Sequence, residues 1–168
     1  VEASSAAPGV TPSSDATISN FTFVGNRSNA FRLNTGTIGH YLNGVVNYGK
    51  ECFRFEDSAG NGTAGYQEGA DPKFSSVLFD CELGLATAAS DAAAAQGAVD
   101  ADANNTTTTA NSLTDTFVNG AAESGVTAID PSTIDTFFDA VDYIGAVENS
   151  DDTWWQGWSC GLEASDPC

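Results

Sequence analysis

The sequence predicts a mainly β protein whose first half is a short parallel β-helix, or solenoid, with a loop-rich, partly helical carboxy-terminal region packed on it. Three observations predict this. Residues 18–82 are short β-favouring runs (ISNFTFVGN, NAFRLNTG, YLNGVVNYG, ECFRFED, FSSVLFDCE) separated by Gly and Asn. Those runs repeat: Ala30-Phe31-Arg32-Leu33 matches Cys52-Phe53-Arg54-Phe55 at an offset of 22, and Ile18-Ser19-Asn20 matches Tyr41-Leu42-Asn43 at an offset of 23. After Cys81 the text changes to an acidic, Ala- and Thr-rich stretch with few large apolar residues.

A period near 22 residues suits one solenoid turn of two or three short strands, each paired with its copy in the next turn. Phe31 and Leu33, like Phe53 and Phe55, share a face and stack inward, while Arg32 and Arg54 point out. Asn20 over Asn43 forms an asparagine ladder. A third copy sets Ser76-Val77-Leu78-Phe79 against Asn43-Gly44-Val45-Val46 at an offset of 33, the excess lying in a Gly-rich insert over 58–68. The competing arrangement is an antiparallel sandwich or meander. The chain divides into a flexible or extended leader (1–15), the solenoid (16–83) and an acidic region of loops and short helices (84–168) belonging to the same domain.

Within that last region, Ala89 to Gln96 predicts a brief helix. Asp130-Pro131 predicts a helix start, with Asp as the cap and Pro in the first turn. A final apolar cluster of Phe137, Phe138, Tyr143, Ile144, Trp154, Trp155 and Trp158 must pack on the side or open end of the solenoid.

With five Lys and Arg against 23 Asp and Glu, the formal net charge is -18. Such a surface repels phosphate backbones and anionic headgroups, which excludes nucleic acid as a partner. All five bases (Arg27, Arg32, Lys50, Arg54 and Lys73) precede residue 80, where they face eight acids; the rest of the chain has fifteen acids and no base. No apolar run of 18 residues occurs, so no membrane span is expected. The chain contains no Met and starts without a signal-like segment, as a processed product or fragment does.

Four cysteines, at 52, 81, 160 and 168, with a single histidine and no CxxC pair, do not assemble a zinc site. They are read as disulfides. Of three connectivities, Cys52–Cys81 with Cys160–Cys168 closes the shortest loops. Disulfides imply an oxidising compartment, hence a secreted or cell-surface protein.

The runs ISNFTFVGN and CFRFED, followed by VDYIGAVENSDDTWWQGWSCGL, resemble the carboxy-terminal parts of exported bacterial proteins of the pectate-lyase-like kind. The resemblance spans residues 16–162 and is most specific at Asp142 to Val147 with Trp154 to Cys160. It implies a right-handed β-helix and export, and it brings no catalytic residues with it.

Chemically, the one mixed-charge cluster is Lys50, Arg54, Glu56 and Asp57, which suits surface ion pairs better than lyase chemistry. His40 has no nucleophile motif beside it. Asp100 and Asp102, Asp139 to Asp142 and Asp151-Asp152 suit weak Ca²⁺ binding at most, without a calcium-loop spacing; no other cofactor is expected. Trp154, Trp155, Trp158 and Tyr143 suit either an assembly contact or sugar stacking. The sequence thus favours a non-enzymatic structural protein that associates with itself, into a filament or in adhesion. The alternative is a module that binds or cleaves an extracellular polysaccharide, through the tryptophans or the face bearing Arg32, Lys50 and Arg54.

Overall fold

The computed structural model of the chain describes residues 15–34, 36–56, 71–157 and 159. Its strands are β1 (Asp15–Gly25), β2 (Asn29–Asn34), β3 (Ile38–Tyr48), β4 (Glu51–Glu56), β5 (Lys73–Cys81) and the two-residue β6 (Thr106–Thr107). Helices are α1 (Ala89–Asp100) and the single turn α2 (Ala121–Ser124), with a 3-10 turn at Pro131–Thr133. A four-stranded sheet runs in the order β1-β3-β5-β6, and β2 pairs with β4 in a two-stranded sheet. Every named strand pair is parallel, which removes the antiparallel sandwich or meander.

The repeated sequences lie side by side in these ladders. Phe31 pairs with Phe53 and Leu33 with Phe55; Ile18 pairs with Tyr41; Val45 pairs with Leu78 and Val46 with Phe79. Stacked like residues let rings layer on rings: Phe31 and Phe53 stack with centroids 5.4 Å apart, and Tyr41 and Phe74 at 5.0 Å. The space between the two sheets is filled by Phe21, Phe31, Phe53, Phe55, Phe74 and Phe79.

The short β-helix expected from the sequence is not what these residues form, and that expectation is corrected. A solenoid requires every turn to hand each of its strands to the next turn. Among the described residues only the larger sheet is continued, and the smaller one stops at two strands. After β5 the chain turns, gives β4 two backbone bonds (Cys52 N–H to Gly84 O, Phe53 N–H to Leu85 O) and enters α1. Ala95 and Val99 of α1 close the core there, and the buried Asp91 carboxylate accepts the Phe55 N–H at 3.1 Å. Alanine at successive turns lets the helix approach the strands closely. α1 is also longer than the brief helix predicted.

A local device repeats in the three long strands. Asn20, Asn43 and Ser76 have φ of +51°, +50° and +58°, a left-handed conformation that L-residues other than Asn and Asp seldom adopt. They occupy corresponding positions and drop out of the ladders. Each shifts the inward–outward alternation by one residue. Tyr41 and Phe74 face the core before it, and Val46, Val77 and Phe79 after it, while Val45 and Leu78 turn to the opposite face. Gly44 sits under the Phe21 ring, where a Cβ would collide with it.

The opposite face of the four-stranded sheet carries the carboxy-terminal chain. Ile144 packs on Val45 and Leu78. Asn43, fully buried, accepts the Ile129 N–H through Oδ1 (3.0 Å) and donates Nδ2–H to the Ile129 carbonyl (2.8 Å), while its own carbonyl accepts from Gly145 N–H. Asn20 donates to the Tyr143 carbonyl at 2.9 Å. The expected Asn20–Asn43 contact is present but long, at 3.4 Å; these amides chiefly bind the incoming chain.

The final apolar residues do not gather into one cluster. Ile144 joins Val45 and Leu78, Trp155 joins Val118 and Val147, and Phe137 is 85% exposed with Phe138 as its ring partner. The Asp130 cap is formed, accepting the Ser132 N–H, but helix ends after one 3-10 turn. Cys52 and Cys81 are disulfide-bonded, Cα atoms 5.6 Å apart, joining the two sheets across 29 residues. Cys160 and Cys168 lie outside the described residues.

Asn43→Gly keeps the left-handed turn and removes both side-chain bonds to Ile129, so it should destabilise by about 2–4 kcal/mol. Asn43→Ala should cost about 1 kcal/mol more, for placing a Cβ in that conformation. Chemical denaturation of both variants measures the two contributions; equal losses would mean that the backbone conformation contributes nothing.

Candidate functional site

Two surfaces stand out, and the first is a sheet edge. At one end of the ladders the strands are closed off. Beyond β5, Asn105 accepts the Val77 N–H and donates to the Phe74 carbonyl, β6 pairs with Leu78 and Phe79, and Asp80 accepts two bonds from Asn111. Beyond β4 lie Gly84, Leu85 and Asp91. At the other end, among the described residues, β1 pairs only with β3 and β2 only with β4. The outer side of the eleven-residue β1 has no backbone hydrogen bond to another described segment, and Asp15, Ala16, Thr17 and Val24 are exposed along it. Residues 15–34 contain Asp15, Arg27 and Arg32 as their charged groups, a net +1 in a chain of -18.

The second surface is a groove of about 330 Å³ beside the end of β1, between Thr22 and Val24 on one side and Thr116, Phe117, Trp154 and Trp155 on the other. Trp154 is 58% exposed, and its indole N–H donates to the Ala146 carbonyl at 2.7 Å, which fixes the ring. Trp155 is buried edge-on to Phe117, centroids 5.3 Å apart, and its indole N–H has no partner among the described residues. Thr22 accepts the Ala146 N–H.

The wall containing Thr116 and Phe117 is a tight loop whose ends are joined by Thr114–Val118 backbone bonds. Asp115 and Thr116 both have positive φ, +46° and +74°; for a β-branched threonine this is a strained conformation. Glu123 anchors the loop. Fully buried, its carboxylate accepts the Ser112 N–H (2.9 Å), the Ser112 hydroxyl (2.6 Å) and the Gly120 N–H (3.0 Å). Burial pushes its pKa upward, and the bonds from Ser112 and Gly120 outweigh it, so the carboxyl lies below its ordinary value.

The other residues singled out by sequence are dispersed. Tyr143 is half-buried outside the groove's lining; burial, then Asp152, Glu148 and Asp142, raise its pKa. Trp158 and Asp57 lie outside the described residues. Lys50 is exposed just before β4 and Arg54 lies in it, next to Arg32 in register. His40 is 3.2 Å from the Asp15 carboxylate at the surface. Among the described residues no three His, Cys, Asp or Glu side chains group as metal ligands, and no helix is long and apolar enough to cross a membrane. Thr22, Val24, Thr116 and Phe117 were not signalled by the sequence, since no motif links four residues so far apart.

Comparison with protein-family models, curated proteins and solved structures finds no match to this chain.

Because the folded Glu123 carboxyl titrates below its unfolded value, its stabilisation is complete above the unfolded value, near 4.5, and is lost as pH falls through the folded one. Glu123→Gln should therefore lower stability at neutral pH by about 1–3 kcal/mol and by much less at the acid end of that window. Thermal melts of both proteins from neutral to acid pH check this; parallel curves would remove Glu123 as the anchor.

Proposed function

We propose that this chain is a non-enzymatic, exported structural protein that pairs with a second copy of itself through the outer edge of β1. The supporting observation is the asymmetry of the two sheet ends, one closed by α1, β6 and the side chains of Asn105 and Asp80, the other ending in β1. A long strand edge with unpaired backbone groups is a template for another strand, and proteins that keep such edges solitary protect them with charge, proline or a cover. β1 carries neither Lys, Arg nor Pro along its eleven residues.

Two molecules of net -18 repel each other, and in formal sequence charge residues 15–34, at +1, contribute least to that repulsion, against -15 for residues 81–168. Among the described residues the closed end finishes in the two-residue β6, too short an edge for head-to-tail addition. The contact that remains is β1 against β1 across a two-fold axis, a self-complementary arrangement that closes at two copies. Export agrees with the Cys52–Cys81 disulfide, since such bonds persist in oxidising surroundings.

Light scattering and sedimentation of the non-reduced chain should show a dimer. Replacing the exposed Ala16 and Thr17 together by Lys adds four positive charges across the two-fold axis and should give a monomer with an unchanged melting temperature. A wild-type monomer at high protein concentration, or a dimer indifferent to both lysines, would falsify the reading.

A further inference from the structure

The groove beside β1, lined in part by Thr22 and Val24 of that strand, carries a second and different reading. Its lining side chains are all uncharged: Val24, Phe117, Ala146, Val147 and the two tryptophans supply apolar surface, and Thr22 and Thr116 supply hydroxyls. Thr22 already accepts the Ala146 N–H and so has its own proton to donate. One ring, Trp154, presents itself to solvent while held by the bond to Ala146. An exposed indole immobilised in this way loses little conformational freedom when a flat apolar face stacks on it.

We infer that this groove binds a neutral sugar ring, whose C–H face lies on Trp154 and whose hydroxyls bond Thr22 and Thr116. Its volume, about 330 Å³, is at the small end of ligand sites. The surroundings select against charge of one sign. Asp115, Glu148, Asp151 and Asp152 flank the lining residues, and no base occurs after residue 80. Uronates and sulfated glycans are repelled.

The groove wall is also held at a cost to stability. Thr116 is β-branched at φ +74°, and the sealed Trp155 N–H lacks an acceptor among the described residues. Strain and unmet hydrogen bonding concentrate where a surface is shaped for a ligand. Glycine at 116 removes the strain together with the hydroxyl, so a purely structural loop and a binding loop respond to it differently.

The test titrates the full, non-reduced chain with neutral hexasaccharides (cello-, malto-, manno- and chito-oligosaccharide), with polygalacturonate as the charged control, following tryptophan fluorescence and calorimetry. At least one neutral oligosaccharide should bind saturably and polygalacturonate should not. Trp154→Ala should weaken binding ~10-fold or more, and Thr116→Gly should weaken it while raising the melting temperature. Light scattering on the same samples separates the sugar site from the dimer, because neither variant should change the mass. The inference is overturned by no saturable binding to any neutral hexasaccharide at millimolar concentration, by equal binding of polygalacturonate, by Trp154→Ala binding normally, or by Trp154→Ala converting a wild-type dimer into a monomer, which would mark the groove as a contact between copies.

Discussion

The structure depends most on a left-handed asparagine held inside a β-strand. Asn43 bends β3, reverses which side of the strand faces the core and uses the freed amide to bind Ile129 at both backbone groups. Each of these acts requires the others. A residue that merely continued the strand would point its amide into the aromatic core or leave it level with the ladder, and the chain from 126 to 147 would lose its anchor. Asparagine suits the role because its short polar side chain tolerates positive φ and can imitate a peptide group. Asn20 repeats the arrangement at the edge, binding Tyr143. At Ser76 the backbone conformation persists with a buried hydroxyl that has no partner, and Asn105 supplies the amide from elsewhere, bonding Val77, Phe74 and Val99.

Two faces of one sheet thereby acquire different jobs. The inner face packs aromatic rings in layers against β2 and β4, the region of greatest apolar burial and hence of greatest hydrophobic stabilisation. The outer face is a platform to which an acidic, loop-rich chain is tied by a few amide bonds and the Ile144 contact. Loops so attached can carry strain, as Thr116 does, because the core does not rely on them. The Cys52–Cys81 bond lies within the core itself, so its constraint, of about 3.6 kcal/mol for a loop of this length, acts on the sheets rather than on the platform.

What the sequence made legible follows from this division. Register was readable, because stacked Phe31 and Phe53, or Ile18 and Tyr41, repeat the same chemistry at the pairing offset. The ending of the smaller sheet was not, since Leu85 and Ala86 read as the start of a loop and nothing in the alanine-rich text shows that a helix will take the place of a strand. The partners of Asn43 were equally hidden: backbone groups at 129 have no side-chain signature. The groove draws on Thr22, Thr116 and Trp154, and only the tryptophan announced itself. The helix expected from Asp130-Pro131 fails for a local reason, because Ile134 and Thr133 are β-branched and the Asp135 carboxylate takes the Phe137 N–H, competing with helical bonding.

Charge then decides which surfaces can meet. Fifteen acids without one base make residues 81–168 a poor partner for a second copy of themselves or for an anionic polymer. The bases lie instead on the repeat half, Arg27 between β1 and β2 and Arg32 within β2. Backbone pairing is indifferent to side-chain sequence, so an edge of this kind is selective only through what surrounds it, and the proposed two-fold pair would hold the acidic halves of its two copies apart. The groove, on the platform side of β1, remains open in such a pair only if the two-fold axis passes near the first residues of β1 rather than near Val24, so the position of that axis determines whether association and sugar binding can coexist in one molecule.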